Sequence, residues 1–372
     1  MIIFMLLPII GISYVCWHVW TLLPVSNVWR TIVVALIVVS FLLLFLDITG
    51  TLDSLPIRLG SVLYNIGTSS VIVLLYAVMV FLLLDLGRLV HLVPRSWLYG
   101  NWITAACVFG FLSALMVYGH LNYLHKVRVP LTLTTAKPLP KDYKVVMLSD
   151  LHLGYHNTRA TLAKWVDMIN AEEPDLILIA GDIIDISVRP LIQEDIAAEF
   201  RRLSAPVYAC LGNHEYYSGE QQAQQFYRDA GIHLLSDSAV VIDSALVIIG
   251  RDDLTNRRRK PLNDIIQHLS PNTNQTPSLG EGRGGFFSIL LDHQPHHLEK
   301  AEQAGIDFQL SGHTHRGQVW PLSWITDVLY ECSWGDHQRG NTRYYVSSGI
   351  GIWGGMFRIG TQSEYVVAII KH

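Results

Sequence analysis

The chain predicts a helical membrane region of about four spans followed by an α/β domain, and three observations carry that reading. Charge is partitioned: residues 1–125 hold only Arg30, Arg58, Arg88 and Arg95 against Asp47, Asp53 and Asp85, whereas the rest of the 372 residues carry 23 basic and 28 acidic side chains. Apolar runs near the length of a bilayer crossing are confined to that first block. From Tyr143 onward, short β-rich runs alternate with helical ones, as in a sheet covered by helices.

A content of 50 % hydrophobic residues with mean hydropathy +0.31 is high for a chain held wholly in water. Apolar stretches at 2–23, 31–46, 69–93 and 102–123 each approach the roughly 20 residues that a helix needs to cross a bilayer core. The second, bounded by Arg30 and Asp47, is short and requires snorkelling flanks or a locally thinned bilayer. Trp17, Trp20, Trp97 and Trp102 fall near the expected ends, where amphipathic rings favour the headgroup zone. The start Met1-Ile2-Ile3-Phe4 has no basic residue and three more apolar stretches follow, which argues against a cleavable signal peptide. With four spans, Arg58, Lys126, Arg128, Lys137 and Lys141 share one side against Arg30, Arg88 and Arg95, so the positive-inside rule predicts a cytoplasmic domain on a plasma or inner membrane.

Residues 126–142, with Pro130, Pro138 and Pro140, are expected to be a linker, and 143–372 a single domain. Strands are expected at 143–149, 175–180, 206–211, 245–250, 286–291, 307–310, 343–347 and 364–370, and helices at 158–171, 190–203, 219–230 and 295–304.

Five segments in this half place metal-binding side chains in turns that follow strand-like runs: Asp150-Leu151-His152, Gly181-Asp182, Gly212-Asn213-His214-Glu215, Asp292-His293 and Gly312-His313-Thr314-His315. In an extended segment, donors two residues apart project to one side, which would bring Asp150 with His152 and His313 with His315. Gly181 lets the backbone approach an ion closely, Asp182 can bridge two cations, and Asn213 adds a neutral oxygen beside His214. No cysteine stands among these donors, so Mn, Fe or Zn suits the set better than thiolate-selective metals.

In this order, the segments resemble those of the calcineurin-like metallophosphoesterases, over about residues 143–372. The resemblance implies a two-sheet β-sandwich flanked by helices, with one divalent ion on Asp150, His152, Asp182 and His315 and a second on Asp182, Asn213, His293 and His313. It implies His214 as a non-ligand catalytic histidine that faces the substrate. The implied activity is that of a metal-dependent phosphoric ester hydrolase, breaking a phosphodiester or pyrophosphate bond with a hydroxide shared by the two ions. Asp185 stands where purple acid phosphatases carry a tyrosine, which disfavours a tyrosinate-bound ferric site.

Four spans exceed what an anchor needs, and so an amphiphilic phosphoester at the membrane lipid surface is the expected substrate. The alternatives are a tethered phosphodiesterase acting on soluble substrates, or a catalytically vestigial membrane sensor or scaffold. Nothing in the sequence indicates nucleic acid. His233, His268, His296, His297 and His337 are expected to be surface or packing residues, and Asp185 a turn residue or a support behind the ligands rather than a ligand. Tyr155 and His156 are expected either to line a substrate entrance or to sit in a solvated helix start. Cys16 and Cys107 lie in apolar stretches, and Cys210 and Cys332 are not spaced as a metal pair. Arg257, Arg258, Arg259 and Lys260 form a basic run that is either a solvated loop or a contact for anionic headgroups or a substrate phosphate. Gly280, Gly282 and Gly285 precede a strand instead of following one, so they are not a dinucleotide fingerprint. The sequon Asn274-Gln275-Thr276 is too short a match to signify glycosylation.

Overall fold

The computed structural model describes residues 2–267 and 285–372, which leaves His268, the sequon Asn274-Gln275-Thr276, Gly280 and Gly282 outside the described residues. The chain forms two units: Met1–Tyr123 with Gly354–Ile359, and Leu124–Trp353 with Gly360–His372.

The first unit contains helices α1 (Ile2–Leu22), α2 (Asn27–Leu42), α3 (Leu44–Ile48), α4 (Ile57–Leu89) and α5 (Trp102–Leu124). Three helical stretches are long and apolar enough to cross a membrane, namely Asn27–Ile48, Ile57–Leu89 and Trp102–Leu124, and Leu7–Leu22 is a shorter apolar helix. The stretch expected at 69–93 is the later part of α4, whose 33 residues rise about 50 Å at 1.5 Å each. Gly60, Tyr64, Gly67, Thr68, Ile72, Tyr76 and Phe81 form the buried stripe of α4 at helical spacing. A Cβ on Gly67 would stand 2.8 Å from the Leu44 backbone nitrogen, so glycine is what permits that close crossing. Asp85 of α4 is held by α1, accepting a hydrogen bond from Tyr14 Oη at 2.7 Å with His18 Nε2 at 3.0 Å, which is how a carboxylate among apolar helices is made tolerable. Six late residues complete this unit: Arg358 N donates to Gly119 O at 2.9 Å, Asn122 Nδ2 donates to Arg358 O at 2.9 Å, and His120 Nδ1 lies 3.1 Å from Met356 O.

The second unit carries twelve strands among the described residues: β1 (Lys126–Thr134), β2 (Tyr143–Leu148), β3 (Leu176–Ala180), β4 (Val207–Cys210), β5 (His233–Leu234), β6 (Ser238–Ile242), β7 (Leu246–Gly250), β8 (Phe287–Leu291), β9 (Phe308–Ser311), β10 (Gly335–Arg339), β11 (Thr342–Val346) and β12 (Ser363–Lys371). They build two six-stranded sheets, ordered β1-β12-β2-β3-β4-β5 and β10-β11-β9-β8-β7-β6. Parallel pairing joins β2, β3 and β4 in one sheet and β7, β8 and β9 in the other. The helices are α6 (Arg159–Asn170), α7 (Arg189–Gln193), α8 (Ile196–Phe200), α9 (Asn213–Tyr217), α10 (Glu220–Ala230), α11 (Leu262–Gln267), α12 (Glu299–Gln303) and α13 (Leu322–Leu329).

The apolar runs sort by the two-residue period of a strand. In β2, Val145 and Met147 enter the core between the sheets with Leu178, Ile248, Ile289 and Leu310, while Val146 and Leu148 face α6, α8 and α10 through Trp165, Phe200 and Phe226. The outer face of the second sheet packs Val247 and Ile249 against Leu262 and Ile265 of α11 and Ala301 of α12. Burial on both faces explains why these strands read as unbroken apolar runs.

The segment expected to be a linker differs from that expectation. Lys126–Thr134 is β1, parallel to β12 over nine residues; as an edge strand it tolerates Pro130, whose missing N–H need not pair. The helix expected at 190–203 breaks into α7 and α8 because Asp195 is left-handed at φ 49°, and the one expected at 295–304 begins only at Glu299, after His297 at φ 59°.

Candidate metal centre

The loops that leave the carboxyl ends of β2, β3, β4, β8 and β9 carry Asp150 and His152, Asp182, Asn213 and His214, His293, and His313 and His315 respectively. Parallel pairing aligns those ends, which is why residues far apart in sequence converge. The backbone is not extended there. Asp150, His152, Asp182, His313 and His315 have φ of 54°, 46°, 52°, 71° and 49°, a conformation that costs a non-glycine residue about 1–2 kcal/mol each. Left-handed turns, not strand-like alternation, aim the paired donors, and such strain collects where surrounding structure enforces it.

The enforcement is visible in the hydrogen bonds. Asp150 N donates to Gly181 O at 3.1 Å and His152 N to Asp182 O at 3.0 Å, continuing the β2–β3 ladder into the loops. Gly181, at φ 78°, must lack a side chain, because a Cβ would come within 2.8 Å of the His293 ring. The fully buried Glu215 accepts from four backbone amides: Ile183 at 2.8 Å, Ile184 at 3.0 Å, Gly212 at 2.7 Å and Asp182 at 3.1 Å. Sequence reasoning assigned Glu215 no role, although its place as the third residue of α9 after Gly212 is a recognisable helix-start signal.

Two groups of donors face each other. Asp150, His152 and His315 form one, with His152 Nε2 and His315 Nε2 3.1 Å apart and His315 Nε2 3.6 Å from Asp150 Oδ1. Asp182, His293 and His313 form the other, with His293 Nε2 3.1 Å from Asp182 Oδ2, and Asn213 Oδ1 lies 2.8 Å from His313 Nδ1. His152 Nε2 is 3.7 Å from Asp182 Oδ2, so Asp182 stands between the groups.

Protonation decides what these contacts mean. His293 Nδ1 sits 2.7 Å from Ala180 O, so it carries the hydrogen, and Nε2 presents a lone pair toward a carboxylate oxygen; Nε2 is buried and has no hydrogen-bond partner among the described residues. His152 Nδ1 is 3.2 Å from Asp185 Oδ1, which likewise leaves Nε2 as an acceptor. Two ligands about 2.1 Å from a shared divalent ion stand about 3.0 Å apart at right angles and about 3.4 Å apart in tetrahedral geometry. The donors therefore fit divalent cations, with oxygen and imidazole ligands and no thiolate.

Burial penalises every charge in the centre. Even so, His293, His214 and His152 hold the Asp182 carboxyl well below its ordinary value in the metal-free protein, and Asp182 in turn raises His293 well above its own. Burial raises Asp150. For His152 the hydrogen bond with Asp185 and the nearby carboxylates outweigh burial and raise it, whereas burial and His293 push His313 down to about 4.

His214 is in neither of these two groups, but with His152 and Asp185 it forms a third set of candidate donors. Its Nδ1 lies 2.8 Å from Asp185 O, so that nitrogen donates and Nε2 is the end left for a substrate; burial lowers its pKa. Asp185, expected as a turn residue or a support behind the ligands, holds His152 Nδ1 and lies 3.6 Å from His156 Nδ1. Tyr155 and His156 are buried, with His156 Nε2 2.6 Å from Ile352 O, so they neither line an entrance nor sit in solvent. His233, His296, His297 and His337 belong to none of the donor groups.

Residues 143–317 match the calcineurin-like phosphoesterase family. An uncharacterized metallophosphoesterase of Campylobacter jejuni is 31 % identical over 265 residues, covering 70 % of this chain and 68 % of its own. A transmembrane protein with metallophosphoesterase domain from Danio rerio is 30 % identical over 277 residues, covering 70 % of this chain and 61 % of its own. Among solved structures, a 5'-nucleotidase precursor from Thermus thermophilus matches with TM-score 0.37 and 15 % identity over 57 % of this chain and 50 % of that one, so this chain spans half its length. With apolar helices, paired sheets and converging histidines and carboxylates all in one sequence, this chain belongs to the calcineurin-like metallophosphoesterases.

Proposed function

We propose that the protein is a membrane-bound two-metal phosphoesterase that hydrolyses a phosphodiester or pyrophosphate bond in an amphiphilic, lipid-linked substrate. Asp150, His152, Asp182 and His315 would hold one divalent ion, and Asp182, Asn213, His293 and His313 the other, as Mn, Fe or Zn. The carrying observation is the pair of contacts at 3.1 Å, His293 Nε2 to Asp182 Oδ2 and His152 Nε2 to His315 Nε2, which have the spacing of ligands on a shared cation and which, without one, need a proton between each pair. Two bound divalent cations acidify a water and neutralise phosphoryl oxygens. The remaining chemistry falls to the protein. His214, fixed through Nδ1 by the Asp185 carbonyl, offers Nε2 to the substrate and, when protonated, gives a proton to the leaving oxygen.

The amphiphile is supported by α13, which follows the loop bearing His313 and His315. Trp324, Ile325, Val328 and Leu329 lie along one side of that helix and are 62 %, 55 %, 85 % and 66 % exposed. An apolar face of this kind left open marks contact with a membrane or another partner, and this chain brings its own apolar helices to a bilayer. A cytoplasmic site for the domain rests on the charge distribution and on four crossings.

The test uses full-length, Mn²⁺-loaded protein in vesicles, with a lipid phosphodiester and a soluble chromogenic one side by side. Val328→Gln with Leu329→Gln should lower the lipid rate several-fold and leave the soluble rate unchanged. Equal rates on the lipid in parent and variant would refute the lipid reading and favour a tethered enzyme with soluble substrates; no hydrolysis of either, with metal bound, would favour a vestigial sensor.

A further inference from the structure

The chain that leaves β7 at Gly250 turns through Arg251 toward α11, and beside it β8 ends at Asp292. Between them lies a cavity of about 290 Å³ bounded by Arg251, Arg259, Lys260, Asn263, Lys300 and Gln303. Among the described residues, no acidic side chain lines it. Two carboxylates beside it are already engaged: Asp292 Oδ2 accepts from Arg251 Nη1 at 3.0 Å and Oδ1 from Arg259 Nη1 at 2.9 Å, and Asp237 Oδ2 accepts from Lys260 N at 2.6 Å. Two guanidinium and two ammonium groups against the Asp292 and Asp237 carboxylates leave an excess of about two positive charges around one small cavity.

Arg251 makes this more than a cationic surface. Its side chain is 5 % exposed, Nη2 donates to Lys260 O at 3.3 Å, and Nε is buried with no hydrogen-bond partner among the described residues. A buried guanidinium donor without an acceptor is unfavourable, and so are neighbouring like charges without a counterion. A group with several acceptor oxygens and more than one negative charge in the cavity relieves the like-charge repulsion, and arginine and lysine are the side chains that recognise phosphate. The cavity lies at the lower end of the size range of ligand pockets, enough for a phosphate or a small headgroup but not for an acyl chain. Of the basic run in the sequence, Arg259 and Lys260 line the cavity, whereas Arg257 and Arg258 are exposed and do not.

From this we infer a second anion site, distinct in its residues from the metal centre, in which Arg251, Arg259, Lys260 and Lys300 bind a phosphate group. It does not depend on the substrate proposed above. The phosphate can arrive free or as a phospholipid headgroup, and the two sources are separable.

The experiment is calorimetric titration of the full-length protein at low salt with inorganic phosphate, and in a second arm with dihexanoylphosphatidic acid. Asp182→Ala serves as the background in which the metal centre is disabled. Phosphate binding should persist there, and adding Lys260→Ser with Lys300→Ser should weaken it about tenfold or more. Both lysines are exposed, so the fold should be unaffected, and an unchanged thermal midpoint checks this. Tighter, lysine-dependent binding of the short-chain lipid identifies a headgroup site; tighter binding of inorganic phosphate identifies a free-phosphate site. Identical titrations with and without the two lysines, for both ligands, overturn the site and leave the metal-centre proposal standing.

Discussion

Glu215→Gln exchanges one oxygen of a fully buried side chain for an amide, and each of its oxygens has two backbone donors. Oε1 accepts from Ile183 and Ile184, and Oε2 from Gly212 and Asp182, all between 2.7 and 3.1 Å. Whichever way glutamine turns, its NH₂ meets two N–H groups and leaves both without an acceptor. At about 1–3 kcal/mol for each unsatisfied buried group, the substitution should cost about 2–6 kcal/mol. For a unit of this size, about 2–4 °C per kcal/mol translates this into a midpoint lowered by about 4–24 °C. Thermal unfolding of the metal-free, full-length protein followed by intrinsic fluorescence reads the effect without the added stability that bound metal confers. Glu220→Gln at the start of α10 removes the same charge elsewhere and should shift stability by about 0.5 kcal/mol or less. A Glu215→Gln midpoint no lower than this control would refute the idea that one carboxylate ties the β3 and β4 loops together.

Two further outcomes follow from the geometry. His214→Ala should keep its bound metal while kcat falls by about 10² or more, whereas Asp182→Ala should lose metal and hydrolysis together; elemental analysis beside a chromogenic phosphodiester assay decides, and metal loss in His214→Ala would make that ring a ligand. In the metal-free protein His293 is raised well above the ordinary histidine value and His152 is raised above it, so both bind protons more readily than a free imidazole and metal must displace them, while His313, pushed down to about 4, holds none at neutral pH. Metal affinity should therefore fall as pH drops through those raised values, and loading at neutral pH should release protons, visible with an indicator dye in weak buffer; loading without proton release would refute the assignment.

Long apolar runs were legible because burial on both faces leaves β3 and β7 without a polar side chain and β2 and β8 with only Lys144 and Ser288 near their starts, and because membrane helices must be apolar along their length. The donor residues were legible because their types and order are chemical requirements. Their backbone conformation was not: an aspartate or histidine at positive φ carries no mark in the sequence, and only the packed loops impose it. β1 was hidden by Pro130, which an edge position tolerates, and β6 by its half-buried pattern Ser238–Ile242 with no strong alternation. α13 went unnoticed because its exposed Trp324, Ile325, Val328 and Leu329 resemble core residues until burial is known.

The membership of Gly354–Ile359 in the helical unit bears on how the protein is made. Helices α1 to α5 leave the ribosome first, yet the partners of His120 and Asn122 come 236 residues later, at Met356 and Arg358. Insertion of the helices and completion of their packing are thus separate events in biosynthesis, with synthesis of most of the phosphoesterase domain between them. A nascent chain stalled before Gly354 would carry helices whose polar groups still await those contacts.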